Sequence, residues 1–379
     1  MILLPTPMPV INSAVLLTII DLNMTIPQSK SLSTSRMSQI FTNTAAAYKY
    51  YWFIGILDLY VKKGMTRMTI WDVLIEMVAN AWNPACNFHL NFGKSEELYK
   101  AIFKLHKKYE IAENVSPSDL NLWLHEHLDD RKVQAILRPI QAVVPYRFLR
   151  PWIDTSDKFL ITERSMTFEN GCPYRLNRIE GLLWIELNEE WLSYFQTNYS
   201  ILKDFAYWNL TLFLQPRNPN VPNIPNKLIM TEGRSSLDKQ HDYWDYVINH
   251  GCEIRCIYTN KLVVANDYAL DHFIPWSFVS HDLIWNLLPA DNGINSSKSD
   301  KLPKLEEYLP KLAHNQQLAV KTCLANNFKG TVLEDYLFLG CTPQELADMD
   351  ELHLLDCFNK TYSPMNQIAQ NMGFEVWRY

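Results

Sequence analysis

The chain has 379 residues, 47% of them hydrophobic, with 12 Trp and 19 Tyr; this is more apolar material than one core usually holds, so two domains, or one with large additions, are expected. A formal net charge of -6 excludes a protein that holds nucleic acid by being basic all over, so any polyanion site must be patterned. The 7 cysteines, scattered from Cys86 to Cys357, do not resemble a disulfide framework and fit a reducing cytoplasm.

The apolar start from Val15 to Ile20 has no basic residue ahead of it, the first being Lys30, and is not read as a signal peptide. Met24 or Met37 could equally be the true start. No stretch is long and apolar enough for a membrane span, since even the aromatic run from Tyr48 to Val61 contains Lys49 and Asp58. From Ala45 to Lys63 apolar residues recur at helical spacing, and Gly64 is suited to the left-handed position that ends a helix. A second helix should begin near Thr69, which has capping-box spacing to Asp72, and halt before Pro84. Another runs from Tyr99 to Glu110 with Lys100, Lys104, Lys107 and Lys108 on one face, a solvated surface or a nucleic-acid contact.

From Lys158 to Leu187 the pattern changes. Phe159, Ile161 and Glu163 alternate, Asn170-Gly171 marks a turn and Leu182 to Leu187 is strand-like, which together predict a small antiparallel sheet. Aromatic helices follow from Glu189 to Phe213. Pro216, Pro219, Pro222 and Pro225 then arrive amid asparagines, and this composition predicts an exposed linker between domains. A helix is expected from about Ser235 to Asn249, and mostly helical sequence from Leu302 onward.

Chemistry concentrates in residues 252–303. Ile254 to Tyr258 and Tyr268 to Ile274 suggest two strands, and Asn292 to Asp300 a short helix that puts Asn295 and Lys298 on one face. A hard cation such as Mg²⁺ takes oxygen ligands, which Asp271 and Asn295 could supply. A neutral imidazole at His272 can take a proton from water near neutral pH, and Lys298 can face a phosphate. These parts suit phosphodiester hydrolysis. Asp271 and His272 are consecutive, however, and consecutive strand residues point to opposite faces, so a shared pocket would need a bulge or strand end there.

Asp271-His272-Phe273-Ile274-Pro275, then Asn286-Leu287-Leu288, then Asn295-Ser296-Ser297-Lys298-Ser299-Asp300 resemble the HNH nuclease family, particularly the HNH domain of CRISPR RNA-guided nucleases and HNH proteins of restriction and defence. The resemblance implies His272 as general base, Asp271 and Asn295 as ligands of Mg²⁺ or Mn²⁺, and Asn286 as the brace of the catalytic loop. The paired Cys-x-x-Cys of many HNH proteins is missing, because only Cys252 and Cys256 stand near the hairpin, so no structural zinc is expected.

Residues 229–310 hold more Asp and Glu than Lys and Arg, so phosphate binding should come partly from elsewhere. The segment from Lys100 to Arg150 is net positive, with Tyr146, Phe148 and Trp152 among its arginines, either stacking on bases or, as favoured here, packing. His241, His250 and His281 read as ordinary polar residues. The expected architecture is α+β: a mostly helical N-terminal domain (1–213) with a small antiparallel β insertion, a Pro/Asn-rich linker (214–228), a ββα-metal HNH module (229–310) and a C-terminal helical extension (311–379). The expected activity is cleavage of DNA, RNA being the other substrate the motif allows, with a protein partner or oligomer contacting the N-terminal domain. The competing reading is an HNH fold without activity that serves as a binding or assembly subunit.

Overall fold

The computed structural model describes residues 25–42, 44–93, 96–229 and 236–378. The apolar stretch Val15–Ile20 lies outside them. After a short helix, α1 (Thr34–Ser38), comes α2 (Tyr48–Lys63), whose residues Tyr50 to Leu59 are all buried and which ends on Gly64 at φ 69°. Thr69 caps α3 (Ile70–Ala85) through a capping box with Asp72. This helix does not halt before Pro84; it carries the proline in its closing turn, where a missing N–H costs little of the remaining ladder. Next come α4 (Glu97–Tyr109), α5 (Pro117–Glu126), α6 (Arg131–Gln141) and α7 (Val144–Phe148).

The alternation at Phe159, Ile161 and Glu163 is a helix, α8 (Lys158–Ser165), and not a strand. Asp157 decides this by accepting hydrogen bonds from the backbone N–H of Phe159 and Leu160, so a local cap outweighs a weak period-two pattern. Strands β2 (Tyr174–Ile179) and β3 (Leu182–Leu187) form a hairpin, and β1 (Arg67–Thr69) adds to β3, giving an antiparallel sheet in the order β1-β3-β2. Helices α9 (Glu189–Thr197) and α10 (Tyr199–Leu214) complete a first core that reaches from Ile26 to Leu228.

The proline-rich connector belongs to that core. Asn218 is buried and exchanges hydrogen bonds of 2.7 and 2.9 Å with the Asn91 backbone. Ile224 and Leu228 of α11 (Ile224–Leu228) are buried with it. The segment expected as an exposed linker, 214–228, is thus anchored to this core at Asn218, Val221, Ile224, Lys227 and Leu228 while residues between them, such as Pro219 and Pro225, stay exposed: prolines prevent long helices there, but the apolar residues between them still find a core.

A second core spans Tyr243 to Trp377. It contains α12 (Asp238–Asn249), β4 (Ala269–His272), α13 (Trp276–Val279), β5 (Leu287–Ala290), α14 (Asn292–Lys298), α15 (Leu305–Ala325), α16 (Pro343–Asp348) and α17 (Glu351–Met372). The strand expected at Ile254 to Tyr258 is only a loose hairpin, closed by Cys256 N–H to Lys261 O at 2.9 Å and Val263 N–H to Ile254 O at 2.9 Å. The partner of β4 is β5, which composition hid because it contains Pro289; a two-stranded ribbon has only edges, where a residue without an N–H is tolerated. The C-terminal helices share this core. Gln316 donates to Ile284 O (3.1 Å) and Leu287 O (2.8 Å), and Tyr362 donates to Trp285 O (2.6 Å), so α15 and α17 grip the chain entering β5. The fold class is α+β, as the sequence predicts.

Candidate active site

The ribbon β4–β5 pairs Asp271 with Leu288 and His272 with Leu287. Between the strands runs a loop whose start is fixed by Asn286, fully buried, which accepts from Ile274 N–H and donates to Ile274 O, both at 2.9 Å. Two bonds from one amide bracket a single residue, so the backbone that follows His272 is held in place.

Because pairing continues in register through His272 and on to Phe273 N–H···Asn286 O, there is no bulge between Asp271 and His272. Their side chains therefore take opposite faces of the ribbon. On one face Lys298, from the end of α14, donates to Asp271 Oδ1 (2.9 Å) and to His272 O (2.6 Å), while Tyr258 donates to Asp271 Oδ2 (2.7 Å). The pair is dry: the Asp271 side chain is 3% exposed and that of Lys298 0%. Burial and the neighbouring carboxylate push the Tyr258 hydroxyl well above its ordinary pKa, so it stays a donor.

On the other face His272 Nε2 lies 2.8 Å from Asp282 Oδ1. A carboxylate can only accept at neutral pH, so Nε2 carries the proton and the lone pair is left on Nδ1. This contact fixes the orientation of the imidazole. Beside it His281 is pushed down to about 4, chiefly by burial, so it stays neutral.

The five motif residues thus share one small motif without converging on one point, His272 lying on the face opposite Asp271. Asp271 and Lys298 meet, Asn286 braces the loop, and Asn295, half-buried on α14, makes no side-chain hydrogen bond among the described residues. Lys298 is not placed to face a phosphate; it is fully buried and committed to Asp271. A divalent cation needs anionic oxygens directed at it. Here both Asp271 oxygens are engaged and its charge is neutralised by an ammonium, so the donor set as arranged does not fit a metal ion. Among the described residues no group of three or more His, Cys, Asp and Glu is arranged to hold one. Cys252 and Cys256 are both free thiols.

Sequence reasoning missed Asp282 and Tyr258. The signal for Asp282 was available: His281-Asp282 is the one pair of ionisable residues between Phe273 and Leu288, and Asp282 lies ten residues from His272. Tyr258 gave none, being one tyrosine among 19.

The lysines of α4 are exposed; Lys100 pairs with Glu97 at 2.7 Å, while Lys104, Lys107 and Lys108 border a shallow cleft against Ile136 of α6. Tyr146, Phe148 and Trp152 pack in the first core, as favoured from sequence.

The site is thus a two-stranded ribbon followed by a short helix, with His272 on the first strand held by Asp282. Residues 256–304 match the family model described as HNH endonuclease, which makes this segment one of HNH type. No curated protein and no solved structure matches the chain. HNH domains act on nucleic acid and generally use a divalent metal, and none of the helices among the described residues is long and apolar enough to cross a membrane.

Proposed function

We propose that the chain is an endonuclease that hydrolyses phosphodiester bonds in DNA, with His272 as general base and Asp282 as the residue that positions it. The observation that carries this reading is the 2.8 Å contact between His272 Nε2 and Asp282 within a segment of HNH type. His272 takes the proton of a water through Nδ1, the water attacks phosphorus in line, and the 3′ oxygen leaves, so that products carry 5′-phosphates. Asn286 contributes by fixing the backbone on which His272 sits.

Mg²⁺ or Mn²⁺ is the metal we assign, on family grounds, in a ββα-metal module with Asp271 and Asn295 as its ligands. Admission of the ion requires the Lys298 ammonium to leave Asp271. The setting we assign is bacterial defence or restriction, on the sequence resemblance alone. The lysine face of α4 is assigned to phosphate contact, with DNA held jointly by both halves of the chain. A second reading, an inactive binding or assembly subunit, is favoured by one observation: Asp271 is already saturated by Lys298 and Tyr258.

Incubation of the purified chain with plasmid DNA, with and without Mg²⁺, separates the two. His272→Ala should slow cleavage by about a hundredfold to ten-thousandfold while leaving DNA affinity unchanged. Equal rates for native and variant would end the assignment of His272, and no cleavage by the native chain in any divalent metal would favour the second reading.

A further inference from the structure

Away from the HNH segment, the start of α3, the end of α6 and the β2–β3 hairpin enclose a cleft of about 450 Å³ lined by Trp71, Arg138, Gln141, Arg178 and Leu182 among others. Its two arginines lack what other arginines of this sheet have. Arg67 and Arg175 are paired with Glu186, whereas neither Arg138 nor Arg178 has a carboxylate within 4.0 Å among the described residues. Among the described residues Arg178 makes two long hydrogen bonds, of 3.4 Å, to Gly181 O and the Tyr146 hydroxyl. Gln141 supplies a buried side-chain oxygen with no hydrogen-bond partner. Such an acceptor costs free energy unless a donor arrives. Trp71 is half-buried and its ring stacks on no other aromatic among the described residues.

Further cations with no carboxylate within 4.0 Å among the described residues continue from there, Arg147 donating instead to the Tyr48 hydroxyl at 2.8 Å. Lys158 lies over the ring of Tyr146, whose hydroxyl meets Arg178. Arg147 and Arg150 lie close enough to Lys49 to help burial pull its pKa down to about 8. Like charges crowded without acidic partners are unfavourable in the free protein and are relieved by a polyanion.

We propose that this cleft binds one splayed-out nucleotide of a single nucleic-acid strand, its phosphates on Arg138 and Arg178, its base on Trp71 with an amino group donating to Gln141, and the strand continuing past Lys158 towards Arg147 and Arg150. Guanidinium forks match phosphate oxygens, aromatic faces take bases of any sequence, and the volume suits one nucleotide. The choice of a nucleic acid as ligand rests on the nuclease reading.

The test is binding of the full chain to a fluorescent single-stranded DNA, and to its duplex, in chelator so that no cleavage intervenes. The single strand should bind more tightly than the duplex. Arg138→Gln with Arg178→Gln should flatten the logarithmic salt slope by about 1.4, at roughly 0.7 for each lost phosphate of a single strand. Arg138→Lys with Arg178→Lys keeps the charge and should keep the slope, which separates lost contacts from a lost fold. Trp71→Leu should weaken binding about fivefold to tenfold with the slope unchanged. Arg67→Gln, whose arginine is already paired, should bind as the native chain does.

Unchanged affinity and slope in the Gln pair, equal binding of strand and duplex, or no binding by the native chain would each overturn the cleft. If the native chain cuts plasmid DNA while the Gln pair binds normally, the cleft fails and the nuclease reading stands. If the Gln pair loses binding and the native chain never cuts, the cleft stands and the nuclease reading fails.

Discussion

Removing the Lys298 ammonium should unfold the second core far more readily than its single ion pair suggests. At 2.9 Å and an effective dielectric of about 20, the direct attraction between Lys298 and Asp271 is about 6 kcal/mol. Stripping water from two fully buried ions offsets most of that, so the intact pair adds little net stability. Breaking it is different. Lys298→Met leaves the Asp271 carboxylate in a dry site with only the Tyr258 hydroxyl to meet it, and the cost should be about 3–5 kcal/mol. Asp271→Asn strands the ammonium against His272 O and should cost a similar amount. The double variant carries no charge and keeps the Tyr258 hydrogen bond, so its loss should fall well below the sum of the two. Urea unfolding followed by circular dichroism, on all four proteins, measures this cycle. Added Mg²⁺ should in addition stabilise Lys298→Met more than the native chain, because a freed carboxylate is the ligand the ion needs. Additive losses, or a Lys298→Met cost below about 1 kcal/mol, would refute the reasoning, since a buried, hydrogen-bonded pair must couple.

Asp282→Ala should lower kcat of DNA cleavage by about 10–100-fold with little change in KM, and Asp282→Glu should restore part of it, since an outer carboxylate that fixes a histidine acts through orientation; equal kcat in Asp282→Ala would show that His272 needs no such partner. Lys227 is fully buried, donates to Pro222 O and Ser280 Oγ, and is lowered by burial to about 7. Above that pH the folded chain sheds a proton that the unfolded chain keeps until its ordinary value of 10.5, so the stability of the native chain relative to Lys227→Met should rise between pH 7 and pH 9. The slope should be at most about 1.4 kcal/mol per pH unit, and a flat difference would exclude titration there. Limited proteolysis should leave 215–228 uncut, because Asn218, Ile224 and Leu228 are buried; an early cut within that span would return it to the open linker its composition suggests.

Local rules sufficed where the deciding partner is three or four residues away. Gly64 ends α2, Thr69 and Asp72 box the start of α3, and α14 places Asn295 and Lys298 on one turn, each legible because backbone geometry alone sets the contact. The order Asp271, His272, Asn286, Asn295, Lys298 was likewise written in the chain and lies within the segment that the HNH model covers. What those residues touch was not. Lys298 reads as a cation facing a phosphate, yet it meets Asp271 27 residues earlier and is fully buried between the ribbon and α14. Asp282 reaches His272 only because Asn286 folds the intervening loop back on Ile274. The connector looked open since prolines forbid regular structure, but burial depends on what lies opposite, and Asn91 and the first core lie there. Charge type and helix period are properties of neighbours in sequence, whereas desolvation and ion pairing are set by neighbours in space, so the sequence determined which groups the site contains and only the tertiary structure decided which of them are paired, buried or free to react.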